Sequence, residues 1–175
     1  MGIFAGTTNG IFLTFDSGDT WGPSGLSSEY VSSLAVNGGT VFAGTMGNGL
    51  FVSINDGATW VPVTNAPTGS YIYQVVLSGS NMIVSCINGN LISTDNGLSW
   101  TSVSALPTQA NFVSSGNFVV ARNYGGGVYL SSDNGLNWSS ISMGIPPNVN
   151  AYALCASPTC AYLAADDNKL YKKFF

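Results

Sequence analysis

The sequence predicts an all-β protein built from a tandem repeat of small four-stranded sheets. Three observations predict it. An eight-residue motif, Ser/Thr-x-Asp/Asn-x-Gly-x-x-Trp, occurs four times: "TFDSGDTW" (14–21), "SINDGATW" (53–60), "STDNGLSW" (93–100) and "SSDNGLNW" (131–138). Its tryptophans, the only four in the chain, stand 39, 40 and 38 residues apart. The intervals between motifs break into short alternating runs rich in β-branched and aromatic residues, separated by Gly and Asn, with no helical period. A period near 40 with four strands per unit is the pattern of a β-propeller blade.

The second unit shows the four strands in order. "VSSLAV" (31–36) is the first, "TVFAGT" (40–45) the second, "GLFVSI" (49–54) the third and "TWVPV" (59–63) the fourth, with the motif between the last two. The units run over about 31–70, 71–110 and 111–150, flanked by partial units at 1–30 and 151–175. The first partial unit begins at a second strand. The last supplies strands one to three: "AYALCAS", "CAYLAAD" and "NKLYKKFF". About 18 strands result, or four to five blades. Three arrangements fit: a five-bladed ring with an irregular closure, a segment of a larger propeller, or an arc closed by another copy.

Composition narrows the function. Charged residues make up 7% of the chain, against about 25% in ordinary globular domains. The four basic residues, Arg122, Lys169, Lys172 and Lys173, within a net charge of −4 argue against a nucleic-acid partner. Histidine is absent, which removes the commonest general base and metal ligand, and the cysteine spacing fits no zinc pattern. No metal or cofactor is expected. No apolar run is long enough to span a bilayer, so no membrane insertion is expected either. "MGIFAGTTNGIFLTF" lacks a basic leader and reads as strands rather than a signal peptide. Cys86 reads as a core thiol. Cys155 and Cys160 flank the turn "ASPT", and two readings stay open: a cross-hairpin disulfide, or two small half-buried thiols. The Asn/Ser-rich, charge-poor composition leans extracellular.

The motif itself reads as a turn. Asp16, Asn55, Asp95 and Asp133 are expected to accept a backbone N–H two residues on. Thr14, Ser53, Ser93 and Ser131 can brace the turn from its first residue. Gly18, Gly57, Gly97 and Gly135 supply a positive φ, and Trp21, Trp60, Trp100 and Trp138 add an apolar anchor. Asn55 is informative, because an amide can hold a turn but cannot act as a base near neutral pH.

These residues resemble the Asp-box, or BNR repeat, of sialidases, sortilin-type receptor propellers, xyloglucan-active glycosidases and photosystem assembly propellers. The resemblance covers nearly the whole chain. It implies a propeller whose boxes are structural turns on the face away from the functional centre, and says little about activity. A sialidase-like site would need an arginine triad, but Arg122 is the only arginine. A xyloglucanase-like site would need two carboxylates about a sugar bond. Outside the boxes only Glu29, Asp166 and Asp167 remain, and "ADDNK" reads as a solvated turn. No catalytic residue is expected.

Any site then belongs on the opposite face, where the loops between second and third strands meet the connections between units. Arg122, Asn123 and Tyr124 are the candidate ligand-binding cluster. Tyr30, Tyr71, Tyr73 and Tyr152 read as core or channel-lining residues rather than ligand contacts. The functional expectation is a non-enzymatic binding or scaffold propeller for a protein or glycan ligand. The alternatives are a non-catalytic fragment of a larger Asp-box glycoside hydrolase or sialidase-like protein, and a structural module that self-associates through open blade edges.

Overall fold

A computed structural model describes residues 2–66, 71–123, 127–141, 144–146 and 149–175. Among these residues, eighteen strands form five antiparallel sheets of three, four, four, four and three strands, each in chain order. The first sheet holds β1 (Ile3–Thr7), β2 (Gly10–Thr14) and β3 (Gly22–Gly25). The second holds β4 (Val31–Asn37), β5 (Thr40–Thr45), β6 (Leu50–Ser53) and β7 (Val61–Pro62). The third holds β8 (Ile72–Ser78), β9 (Asn81–Cys86), β10 (Gly89–Ser93) and β11 (Thr101–Ser102). The fourth holds β12 (Asn111–Ser115), β13 (Phe118–Arg122), β14 (Val128–Ser131) and β15 (Ser139–Ser140). The fifth holds β16 (Ala151–Ala156), β17 (Cys160–Ala165) and β18 (Leu170–Phe174). This is the propeller architecture that the repeat predicts. The outermost strands β7, β11 and β15 are only two residues long, whereas β3 has four.

Register explains how the sheets stack. Side chains alternate between faces of a strand, and cross-strand partners share a face. Each sheet therefore has a front pair, on β1, β5, β9, β13 or β17 and the strand that follows it. These are Phe4–Leu13, Phe42–Val52, Ile83–Ile92, Val120–Leu130 and Tyr162–Lys172. The rear pairs are Ala5–Phe12, Ala43–Phe51, Val84–Leu91, Ala121–Tyr129 and Leu163–Tyr171. The front of one sheet packs on the rear of the next. Phe42 and Val52 lie with Val84 and Leu91, Ile83 and Ile92 with Ala121 and Tyr129, and Val120 and Leu130 with Leu163 and Tyr171. Fully burying each of Ile83, Val84, Val120 and Leu163 stabilises by roughly 1.5–3 kcal/mol. The core is thus a series of slabs between sheets.

The inner strands β4, β8, β12 and β16 are stitched together by side chains. Ser32 donates to the Ile72 carbonyl, and the Ser33 hydroxyl accepts from Val75 N at 3.0 Å. Gln74 makes a paired contact with β12, donating to the Phe112 carbonyl (2.8 Å) and accepting from its N–H (2.7 Å). Backbone bonds fix the two faces. Asp56 N donates to Gly39 O and Asn134 N to Asn117 O, so the motif turns sit beside the inner hairpins. At the other end, Met46 N donates to Tyr30 O, Ile87 N to Tyr71 O and Asp166 N to Asn150 O. This is the loop face, where the connections between sheets meet the second hairpins.

Candidate functional site

The four motif turns share one geometry. The Ser or Thr hydroxyl is buried, 1% exposed in each of Thr14, Ser53, Ser93 and Ser131. It accepts the N–H of the motif glycine at 3.1, 2.9, 2.7 and 2.8 Å in turn. It donates its own proton to Asp16, Asn55, Asp95 or Asp133. That acid or amide then accepts the backbone N–H four residues on, from Thr20, Thr59, Ser99 and Asn137, at 2.9 Å each time. The expected bond two residues on is corrected: the hydroxyl takes that N–H, which frees the acid to reach further along the turn.

The motif glycines have φ of +103°, +82°, +89° and +87°. The residues before them, Ser17, Asp56, Asn96 and Asn134, are left-handed as well. Short polar side chains tolerate that conformation best, which is the signal the sequence reading missed. The tryptophans differ in their contacts. Trp60 Nε1 donates to Ser24 O of the preceding sheet at 3.1 Å, whereas Trp21 and Trp138 bond their own glycine carbonyls.

Hydrogen bonds to the ionised form hold the turn carboxyls low. For Asp16 the main cause is the Thr14 hydroxyl, and the carboxyl lies far below the usual range. The Ser99 hydroxyl brings Asp95 down to about 2. The Asn137 backbone N–H lowers Asp133. A carboxylate held this firmly as an acceptor is poorly suited to proton transfer near neutral pH.

The three acids outside the motif turns are pins of the loop face. Both Glu29 oxygens accept from Asn48 Nδ2, at 3.0 and 2.9 Å. Asp166 accepts from Asn150 N and Nδ2, at 3.0 and 2.9 Å. Asp167 accepts from the Tyr171 hydroxyl at 2.7 Å and pairs with Lys169 at 3.1 Å; the Tyr171 bond is the main cause of its lowered pKa.

In the candidate cluster, Arg122 is held by the protein's own oxygens and lines the cleft between the inner strands described below. Arg122 is 8% exposed. Its guanidinium donates to the carbonyls of Ala151 (2.7 Å) and Tyr152 (2.8 Å) and to Asn111 Oδ1 (2.6 Å). It braces the fourth sheet to the fifth. Burial of so strong a donor set is stable only when carbonyl or carboxylate oxygens receive it. Asn123 Oδ1 accepts Gly127 N at 3.0 Å and shapes its own loop. Tyr124 lies outside the described residues. The cysteine expectation resolves to free thiols. Cys155 is opposite Tyr162 and Cys160 opposite Phe174, so the two are offset along the hairpin; Cys155 is exposed and Cys160 buried.

The structure directs attention to the inner strands. In three of the four, the register slips at the second residue, leaving Ser32, Tyr73 and Tyr152 as bulges. A bulge re-aims its side chain out of the ladder. Tyr73 and Tyr152 line an open cleft of about 400 Å³ together with Gln74, Asn111, Ser33 and Arg122. A second cleft, of about 520 Å³, shares Tyr73 and adds Tyr30, Thr7 and Met46. Tyr152 is 57% exposed and Tyr30 53%. The unbulged strand β12 carries Phe112 at this position, and that ring is buried. The sequence placed these tyrosines in the core or lining a channel and not as ligand contacts; Tyr30 and Tyr152 are instead exposed, and the bulges that aim Tyr73 and Tyr152 left no local signal.

No family model matches the sequence, and no curated protein is detectably similar to it. Solved structures are similar in fold. A GH74 xyloglucanase from Xanthomonas campestris matches with TM-score 0.74 at 16% identity, over 99% of this chain and 35% of that one. The extracellular domain of a one-component system from B. thetaiotaomicron gives 0.75 at 15% identity, over 99% and 27%. YCF48 bound to D1 peptide gives 0.70 at 18% identity, over 99% and 61%. The chain therefore spans from about a quarter to three fifths of the length of these proteins. They include an enzyme and a peptide-bound protein, so what the likeness establishes is the fold: this chain is built as a β-propeller.

Proposed function

We propose that the chain is a non-enzymatic binding propeller of the Asp-box type, which recognises a glycan or protein ligand through the loop-face ends of its inner strands. The observation that carries this is the pair of bulged tyrosines, Tyr73 and Tyr152, over a cleft whose other polar walls include the Gln74 and Asn111 amides and the Arg122 guanidinium, itself bonded to neighbouring carbonyls. Tyrosine rings offer flat apolar area with a polar tip, and amides supply paired donors and acceptors. That chemistry suits uncharged sugars and peptide backbone. The resemblance of the four turns to the Asp-box supports the family reading, and the extracellular B. thetaiotaomicron domain supports an extracellular setting.

A glycan array followed by calorimetry tests this. Tyr73→Ala and Tyr152→Ala should each weaken binding of a neutral oligosaccharide or peptide hit by about tenfold, as expected for loss of one stacked ring. Binding unchanged in both variants would refute the site. A second reading, a non-catalytic piece of a larger glycoside hydrolase, is favoured by the GH74 likeness. It predicts a xyloglucan-type hit on the array with no cleavage by the chain alone. Release of reducing sugar would overturn the non-enzymatic reading.

A further inference from the structure

The two end sheets break the pattern that the internal interfaces share. Across each of the latter, an aliphatic or aromatic front pair meets an apolar rear pair. In the first sheet the rear pair Ala5–Phe12 faces outward. Ala5 is half-buried, where Ala43, Val84, Ala121 and Leu163 are 0% exposed. Ile3 on the same face is 52% exposed and Trp21 43%. Gly18 is half-buried, while the equivalent Gly57, Gly97 and Gly135 are buried. In each of the latter cases the cover is the preceding sheet: a Cβ on Gly57 would meet Phe4, on Gly97 Val63 and on Gly135 Ile83.

The fifth sheet breaks the pattern differently. Its front pair is Tyr162–Lys172 instead of two apolar residues. The Lys172 ammonium lies 4.2 Å from the Phe174 ring centroid and 5.0 Å from that of Tyr162. Phe174 is 66% exposed. All three lysines of the chain are on this sheet or the loop before its last strand, whereas the motif turn of the first sheet carries Asp16 and Asp19. The faces are thus complementary in two ways. One is an apolar and aromatic rear face edged by acids, and the other is an aromatic front face centred on a cation.

We propose that the Lys172 face of the fifth sheet docks head to tail on the Ala5–Phe12 face of the first sheet of a second copy of this chain. The contact continues the front-to-rear packing already made four times within the molecule. Lys172 comes to rest against the aromatic rear face, where Trp21 and Phe12 offer ring area and Asp19 offers charge. The interface is heterologous, so each copy uses two different surfaces, and the assembly grows until a ring closes. Because the front pair contains a cation, the contact is weaker than an internal one and is loosened by salt.

Sedimentation velocity on the 18.1 kDa chain tests this. Between about 1 and about 500 µM the mean mass should rise with concentration, and fall again on adding about 0.5 M NaCl. Ile3→Asp disables the rear face and Lys172→Glu the front; each alone should weaken association by about tenfold or more. The decisive sample is an equimolar mixture of the two. It retains one native pairing, the front of Ile3→Asp on the rear of Lys172→Glu, and should give a discrete species of twice the chain mass. Should Ile3→Asp melt below the parent, Asp19→Lys in its exposed turn replaces it. A monomer at every concentration would overturn the proposal. So would single variants that dimerise as tightly as the parent, because a contact between two like faces is then at work.

Discussion

Replacing Asp133 by alanine removes three contacts at once. Its Oδ1 accepts from Asn137 N at 2.9 Å and from Ser131 Oγ at 2.7 Å, and its Oδ2 from Asn137 Nδ2 at 2.7 Å. The two Asn137 donors are exposed, so water replaces most of what they lose. The Ser131 hydroxyl is 1% exposed and its proton is left without an acceptor. An orphaned buried hydroxyl together with two weakened surface bonds should cost about 2 kcal/mol. For a chain of this length that lowers Tm by about 4–8 °C. Asp133→Asn is the informative control. At the second turn Asn55 already accepts from Ser53 and Thr59 and donates through Nδ2 to the Thr59 hydroxyl at 3.0 Å. Rotation of the Asn137 amide lets an asparagine at 133 do the same, so its loss should be less than half that of alanine. Differential scanning calorimetry at pH 7 measures both. If alanine leaves Tm unchanged, or asparagine is as damaging as alanine, the acid is not acting as a turn acceptor and the structural reading of all four motifs fails.

Four further outcomes follow from the same geometry. Arg122→Ala should destabilise by about 2–4 kcal/mol in urea unfolding, since it strands the Ala151 and Tyr152 carbonyls in the boundary between sheets; a loss under 0.5 kcal/mol would show that they are resolvated. Gly135→Ala should cost about 3 kcal/mol or more, because its Cβ would meet Ile83 Cδ1 at 2.3 Å, while Gly18→Ala, equally left-handed but 3.9 Å from its nearest neighbour, should cost about 1–2 kcal/mol. Equal losses would refute the packing difference. Acid should destabilise the fold below the unfolded carboxyl pKa of 3.8: Asp16, Asp95 and Asp133 titrate lower when folded, so their contribution is complete above that value and falls as pH drops, to about 2 for Asp95 and lower still for Asp16. A Tm profile between pH 5 and 2 should flatten when the three are changed to asparagine. Finally, a thiol reagent should modify Cys155 rapidly in the native protein and Cys86 and Cys160 only on unfolding, and the absence of any fast thiol would restore the disulfide reading.

The repeat determined the architecture before any contact was known. A hydroxyl, an acid or amide, a glycine and a tryptophan at fixed spacing are a local device. They bond mostly among themselves, within eight residues, so their pattern is legible in a linear string. The strand count and the two partial end sheets follow from the same periodicity, and so does the placement of the motif turns opposite the loop face. Arg122 shows the limit. By residue type it is a natural ligand clamp; the carbonyls it also braces belong to residues 29 and 30 positions away, and no local spacing reveals them. The slip that turns Tyr73 and Tyr152 into bulges is equally invisible, because register is decided by pairing between strands rather than along one. The same holds for the end faces, where Ala5 and Ala43 occupy equivalent positions in adjacent repeats. Only the sheet in front of Ala43, and none described in front of Ala5, makes one core and the other surface. What the chain folds into is written in short-range chemistry; which side chains remain available to a partner was settled by the packing of one sheet on another.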